Sequence, residues 1–373
     1  MYRNPAGNAS NLFVPISRQS GNVISNPHVF EGEYVPDRLL HRDAEQNTLA
    51  RAFEPALEGE RPDDILLYGP HGVGKTALVR HTMSDLQAET EADWAHVRTM
   101  GETVAGVVRE TLRQLGGDPG AREPLEDVCL ALRDRVTDPT VVVLDEADDL
   151  DEDVLRRLTD VPWVGVVPIV HDPESFRRDL DDHRVQHRLT GAGLELQTYA
   201  PSELADILEP RVRKGLDGSV DRSYLERIAD RSSGTARKAI QTLRAAAELA
   251  GERNCPIETV DIGVAYQRAL GRIREANLRS MDTDYHVLYE LIREAGEIKP
   301  GDLHDRYERV KTEVYTGVTT EPIGKRRRRD KLRKLAEYEL VEKAENRHQY
   351  HRVRDATIVS EHVTLPARTV PDD

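Results

Sequence analysis

The sequence predicts a parallel α/β domain, then a small all-helical domain, then an α+β domain in which helices are closed by a hairpin. Three observations carry this reading. Strand and helix patterns alternate through about residue 200; a glycine-rich loop joins an early strand to its helix; and strand patterns then stop until a last pair near the C-terminus. Strand–helix–strand alternation gives a parallel sheet with right-handed crossovers. A chain of 373 residues is also too long for one compact core, so two or three domains are expected.

The elements follow in order. Residues 1–30 are rich in Asn, Ser, Gly and Pro without periodicity and read as a mobile arm. The α/β domain is placed at 31–200. It opens with an extended Tyr34-Val35-Pro36 and a helix from Arg42 to Phe53. Ile65-Leu66-Leu67-Tyr68 is a short apolar run ending in glycine, a buried strand, and a helix follows from Lys75 to about Gln87. Ala95-His96-Val97 is a second strand, Thr103 to Leu115 a helix closed by Gly116-Gly117, and Leu125 to Arg135 another helix. Val141 to Leu144 and Val164 to Val170 are β-branched runs typical of strands covered on both faces, and Leu194 to Leu196 is a last short strand.

An all-helical segment is placed at 201–278, with patterns at Ser202–Lys214, Arg222–Ala229, Thr235–Ala250 and Ile257–Glu275. Ser202 with Glu203 is the expected start of its first helix, and Gly215 and Gly251 are expected helix stops. Residues 279–363 carry three helical patterns and then two strand-like stretches, Leu340-Val341-Glu342 and Tyr350 to Val353, which read as a winged helix-turn-helix. A tail spans 364–373.

Hydrophobic residues make up 38% and charged residues 32%, and the formal net charge is −15. A negative surface repels phosphates and argues against a nucleic-acid partner, unless the acidity is an adaptation to a high-salt cytoplasm, which scarce Lys beside abundant Asp and Glu fits. Local charge therefore decides the partner. The two cysteines, Cys129 and Cys255, form no metal-ligand spacing, and Cys129 sits in an apolar helical pattern as a buried thiol. With no apolar run of spanning length and no charged start followed by an apolar stretch, no membrane association is expected and a cytoplasmic location is.

Gly69-Pro70-His71-Gly72-Val73-Gly74-Lys75-Thr76 fits the phosphate-loop pattern in full, between a strand and a helix as that pattern requires. Its glycines let consecutive N–H groups point at phosphate oxygens, and the helix N-terminus adds partial positive charge. Lys75 places a point charge against the outer phosphates and Thr76 can ligate magnesium. Val141 to Leu144 delivers Asp145 and Glu146 at a strand's carboxyl end, where open α/β sheets build their sites. Asp145 is expected to hold Mg2+ through water and Glu146 to polarise the attacking water; Asp148, Asp149 and Asp151 read as a solvated acidic turn.

Around these motifs the chain resembles the archaeal origin-recognition and cell-division-control type replication initiators of the AAA+ family. The resemblance is carried by Glu33-Tyr34-Val35-Pro36, Leu39, His41-Arg42-Asp43 and Glu45 before the loop, by Tyr199-Ala200-Pro201 with Glu203-Leu204 and Ile207-Leu208, and by Gly234-Thr235-Ala236-Arg237-Lys238-Ala239. It extends from about residue 30 to 355 and, with the acidic composition, points to a haloarchaeal member. It implies an AAA+ phosphate-loop domain with a helical lid and a winged helix, binding ATP or ADP. It also implies contacts from Val35, Pro36 and Arg42 to adenine and ribose, a wider contact set including Ala77, Tyr199 and Arg211, and Arg237 reaching the terminal phosphate from the lid. His41 and Arg42 serve equally well as capping or solvated residues when read alone. The sequence departs from the family where an asparagine usually follows the Val164–Val170 strand: here stands His171, which serves a strand end as readily as a phosphate. Arg184 resembles the arginine finger that acts on a neighbour's nucleotide, with Arg188 as the alternative. The helical insertion between residues 103 and 160 is also shorter than the family's, so a DNA contact carried there is reduced.

Lys325-Arg326-Arg327-Arg328-Arg329, with Lys331, Arg333 and Lys334, is a dense basic run in an acidic chain, and Leu332, Leu335 and Leu340 give it an apolar face. This is the pattern of a recognition helix: apolar towards its domain, cationic towards phosphates. The following hairpin carries Arg347, His348, Arg352 and Arg354 as a wing. The expected function is an ATP-dependent replication initiator, a slow switch-like ATPase that binds double-stranded origin DNA in the nucleoid and helps load the ring-shaped replicative helicase. It would act as a monomer or in a DNA-dependent assembly. The other reading is a diverged nucleotide- and DNA-binding paralogue that hydrolyses little and serves as an accessory or transcription-regulatory factor; His171 favours it.

Overall fold

From its N-terminal side the chain runs through a 3-10 turn at Pro27–Phe30, helix α1 (Asp43–Phe53), strand β1 (Leu66–Tyr68), α2 (Lys75–Glu89), β2 (Asp93–Arg98), α3 (Val104–Gln114), α4 (Leu125–Arg135), β3 (Thr140–Asp145), α5 (Glu152–Thr159), β4 (Val164–Val170), α6 (Pro173–Arg178), α7 (His183–Thr190) and β5 (Gly193–Glu195). This is a computed structural model, and it describes residues 24–190, 193–316, 321–343 and 350–366. The strands form a five-stranded sheet in the order β2-β3-β4-β1-β5 with every pairing parallel. Successive side chains along a strand face opposite ways. Val142 and Leu144 of β3 and Val164, Val166 and Val170 of β4 enter the core under α3, α4 and α5, while Val141, Val143, Val167 and Ile169 enter the core under α1 and α2. A sheet with helices on both faces needs apolar residues at every position, which is why these strands read as unbroken runs.

Helices α5, α6 and α7 have no counterpart among the patterns read from the sequence. They are six to eight residues long, too short for a 3.6-residue period to stand out. Their starts are nonetheless capped by ordinary chemistry. Asp151 accepts from the Asp153 N–H, and Asp172 accepts from the N–H groups of Glu174 and Ser175.

Four helices follow: α8 (Pro201–Gly215), α9 (Arg222–Arg231), α10 (Ala236–Arg253) and α11 (Ile262–Arg279). The start of α8 lies one residue before Ser202. Pro201 takes the first helical position, and Glu203 reaches back to accept from the Ala200 N–H at 2.8 Å. Gly251 is not a stop: α10 runs past it and ends at Asn254, which adopts the left-handed conformation (φ +49°) that a short amide side chain tolerates. The pattern Ile257–Glu275 divides into a 3-10 turn at Ile257–Thr259 and α11. The expected arm at 1–30 also needs correction over its last part. Val29 and Phe30 are buried in the core of these four helices, and the Ser25 N–H donates to the Gly215 carbonyl at 2.9 Å. A Cβ on Gly215 would stand 2.5 Å from Val29 Cγ2, so the glycine is what lets this segment dock.

The C-terminal part comprises α12 (Thr283–Ala295), β6 (Glu297–Ile298), α13 (Pro300–Val314), α14 (Lys325–Glu337), β7 (Val341–Lys343) and β8 (His351–Val353), with the strands in an antiparallel sheet ordered β6-β8-β7. Its two-residue strand β6 is too short to leave a pattern in the sequence. Its core joins Leu288, Ile292, Tyr307, Leu332, Leu335 and Val353, and Met100 from the loop after β2 packs against it. Among the described residues no helix is long and apolar enough to cross a membrane.

Candidate functional site

Three strands end at one edge of the parallel sheet: β1 runs into the loop Gly69–Thr76, β3 ends at Asp145, and β4 ends just before His171. The loop has a backbone that L-residues cannot follow. Gly69 has φ +140°, and a Cβ there would lie 2.3 Å from the Leu196 carbonyl oxygen; Gly72 has φ +74°, and its Cβ would strike Thr235 Cγ2 and Arg237 Cβ at 2.8 and 2.9 Å. Helix α2 then starts at Lys75 with Gly74 before it, no side-chain cap and no acid in its first turn. Its first N–H groups are therefore left for an anion. Lys75 Nζ donates to the carbonyls of Gly69 and Pro70 at 2.6 and 3.0 Å, folded over the loop it would share with a phosphate. Burial pushes it down to about 8, against the pull of Asp145, Asp148 and Glu146.

Thr76 Oγ1 donates to Asp145 Oδ2 at 2.8 Å. Neighbouring oxygens of an octahedral magnesium shell lie about 3 Å apart, and magnesium takes oxygen donors and keeps several waters, so this pair fits the ion. Among the described residues no cluster of three or more His, Cys, Asp or Glu forms a cage, as expected where phosphates and waters supply the remaining donors. The same Asp145 oxygen lies 2.9 Å from His96 Nε2 of β2, whose Nδ1 lies 3.2 Å from Arg80. Burial alone would raise the Asp145 carboxyl; the hydrogen bonds from His96 and Thr76 and the charge of Lys75 outweigh it and hold the group below its ordinary value.

Glu146 has left-handed backbone (φ +59°). Its Oε2 accepts from Arg98 Nε at 2.5 Å and its Oε1 from the Tyr338 hydroxyl at 2.8 Å. Asp148 is no solvated turn residue, contrary to expectation. It accepts from the backbone N–H groups of His171 and Asp172 and bonds the His171 ring at 2.8 Å. Burial would raise its carboxyl, but His171 and Lys334 hold it well below the usual range. The His171 ring is thus fixed by Asp148 and stacks on His71 of the loop, centroids 3.3 Å apart.

Of these, His71, Gly72, Gly74, Lys75, Thr76, His96, Asp145, Glu146 and His171 line one side of a cleft of about 1060 Å3. The far wall brings Tyr34 and Pro36 together with Ile207 and Arg211 of α8 and Arg237 and Ile240 of α10. Val35 is not among the lining residues, its place being taken by Tyr34. Arg42 lines the cleft but is committed to the protein: it donates to Tyr199 Oη, Glu45 and the Gln197 carbonyl at 2.9, 2.7 and 2.6 Å and lies over the Tyr199 ring. It therefore ties the segment before α1 to the loop that leads from β5 into the helical part. Val73 is buried in the core, and Ala77 and Tyr199 border the cleft. The Arg237 N–H donates to the Gly72 carbonyl at 3.1 Å, so the start of α10 sits directly on the loop; its side chain is exposed to the cleft. Arg188 is fixed by Asp64 at 2.5 Å and the Thr159 carbonyl, whereas Arg184 is 71% exposed with only long contacts to Asp160 and Asp182.

The basic helix α14 divides into two ends. Lys325, Arg326, Arg327 and Arg329 are exposed, and among the described residues no ion pair holds them. Arg328 and Lys331 do not face outward as expected. Arg328 is 3% exposed, pairs with Glu308 at 2.8 Å and lies over the Tyr307 ring. Lys331 bonds Asp282 at 2.6 Å over the Tyr285 ring. Arg352 is paired with Glu342 and Glu297. Arg347 and His348 lie outside the described residues.

His96, Arg98 and Tyr338 belong to the site and were not singled out from the sequence. His96 and Arg98 alternate along β2 beside the acid pair, which the parallel register to β3 alone reveals; Tyr338 is 192 positions from Glu146 and carries no sequence signal.

Residues 38–163 match the model of the AAA ATPase domain. The chain is 33% identical over 301 residues to ORC1-type DNA replication protein 1 of Halobacterium salinarum, covering 76% of this chain and 95% of that one. It is 30% identical to ORC1-type DNA replication protein 9 of the same organism over 86% and 90% of the two chains. Among solved structures, the Aeropyrum pernix ORC1 protein in complex with DNA superposes with a TM-score of 0.68 and 25% identity, covering 92% of this chain and 94% of that one.

Proposed function

This chain belongs to the ORC1-type archaeal replication proteins of the AAA+ class, and we propose that it is an ATP-dependent initiator that binds double-stranded origin DNA in the nucleoid and helps load the replicative helicase. The observation that carries the reading is the convergence of loop, acid pair and helical-domain arginine on one cleft. The free N–H groups at the start of α2 and the Lys75 ammonium hold the triphosphate, and Thr76 and Asp145 hold magnesium, which when bound neutralises phosphate charge. Glu146 takes up the proton of the attacking water. Arg237 approaches the terminal phosphate from α10, which rests on Gly72, so loss of that phosphate changes how the helical lid sits on the loop. Exposed Arg184 reaches the nucleotide of a neighbouring copy when copies assemble on DNA.

The C-terminal part is read as a winged helix. Lys325, Arg326, Arg327 and Arg329, held by no ion pair among the described residues, offer four cations to a duplex, and Arg352 of β8, paired with Glu342 and Glu297, stands on the wing; Arg347, outside the described residues, is proposed as a further DNA contact. The Aeropyrum pernix relative solved with DNA supports DNA as the partner. Because phosphate contacts position a protein without reading sequence, the test is where the protein sits in the cell. Chromatin immunoprecipitation should give occupancy concentrated where replication starts; occupancy spread over promoters would instead mark a transcription regulator.

A further inference from the structure

Glu146 of the acid pair is held by the C-terminal part of the same chain. Tyr338, the residue after α14, donates its hydroxyl to Glu146 Oε1 at 2.8 Å and sets its ring 4.6 Å from the His71 ring of the phosphate loop. Tyr338 is buried, and both burial and the Glu146 charge raise its hydroxyl's pKa, so it remains a donor at neutral pH. The contact is braced on three sides. Lys334, 4% exposed, stands 3.4 Å from Asp148; Glu339 accepts from Lys238 of α10 at 2.8 Å; and Arg98, which holds the other Glu146 oxygen, also donates to the Ser280 carbonyl at 3.2 Å. A carboxylate that orients water must be free to turn towards it, and here Arg98 on one oxygen and Tyr338 on the other hold the Glu146 carboxylate in a single orientation.

We propose that Tyr338 is an autoinhibitory latch: while the C-terminal part is docked, its hydroxyl holds Glu146 off the reacting water, and turnover waits on undocking. This rests on the reading of Glu146 as the group that activates water. It makes Tyr338 a positioning residue that acts through Glu146 and has no contact with nucleotide of its own.

The test is steady-state ATP hydrolysis by the full chain with Mg2+ for the parent, Tyr338→Phe, Glu339→Gln, Glu146→Gln and the double variant Tyr338→Phe/Glu146→Gln. Phenylalanine keeps the ring against His71 and removes only the donor. A hydrogen bond to a charged group is strong enough that kcat should rise about tenfold, with KM for ATP unchanged. Glu339→Gln, which loosens the brace to Lys238, should raise kcat in the same direction and carries the test if Tyr338→Phe does not fold. The double variant should be as slow as Glu146→Gln. A folded Tyr338→Phe or Glu339→Gln with parental or lower kcat overturns the latch. Parental turnover in Glu146→Gln would instead remove the reading of Glu146 on which the latch rests, which is a separate outcome.

Discussion

At Asp145 a single carboxylate oxygen serves two neighbours, Thr76 at 2.8 Å and His96 at 2.9 Å. The threonine hydroxyl is a donor here and would become a donor of electron density to magnesium, so its loss should be felt only when the ion is present. Thr76→Val is expected to weaken ATP binding about tenfold in magnesium and to leave it unchanged in chelator, measured by titration under both conditions. The loop and the acid pair could be read from residue order alone because their chemistry is consecutive in the chain. His96, Arg98 and Tyr338 could not, since strand register and domain docking bring them in. Arg42 shows a further limit: the resemblance gives it a place on the cleft, which it has, but its bonds to Tyr199, Glu45 and Gln197 come from strand order and docking that residue order does not show.

Helix α14 was legible in its apolar face and illegible in its charges. Leu332 and Leu335 are buried as the spacing requires, but which cations turn inward is decided by partners far away in sequence, Glu308 for Arg328 and Asp282 for Lys331. Arg326→Ala should therefore lower duplex affinity and reduce the slope of log affinity against log salt by about one. Arg328→Met should leave that slope unchanged, because Arg328 is already neutralised inside the protein. Salt titrations of duplex binding separate the two.

Helix α12 buries His286 at 1% exposure, with its Nδ1 2.9 Å from Ser360 Oγ and its Nε2 without a partner among the described residues. Burial, reinforced by neighbouring His362, pushes the imidazole down to about 4, from an ordinary value near 6.5. Between those values the unfolded chain binds a proton that the folded chain refuses, so stability falls as pH drops from about 6.5 towards 4. The part due to this one group is of order 1–3 kcal/mol. Thermal unfolding at pH 7 and pH 5 should show a drop in Tm that is smaller in His286→Gln than in the parent; equal drops would assign the effect to other groups.

For the molecule as a whole, net charge was the least informative feature, because an overall −15 coexists with four cations on one helix end that no ion pair holds among the described residues. The parallel sheet was legible because strands covered on both faces must be apolar throughout. Its short helices, the strand β6 and the docked segment at 24–30 were not, since each is stabilised by tertiary contacts and not by a periodic pattern of its own. The cleft brings together the loop, the acid pair and residues of α8 and α10, which is the arrangement the proposed nucleotide site requires. The most direct measurement is a titration of fluorescent ATP, in magnesium, into the intact parent and into Lys75→Ala. The expected result is saturable binding by the parent and at least about tenfold weaker binding by the variant at unchanged fold; equal affinity, or no binding by a folded parent, would contradict the account.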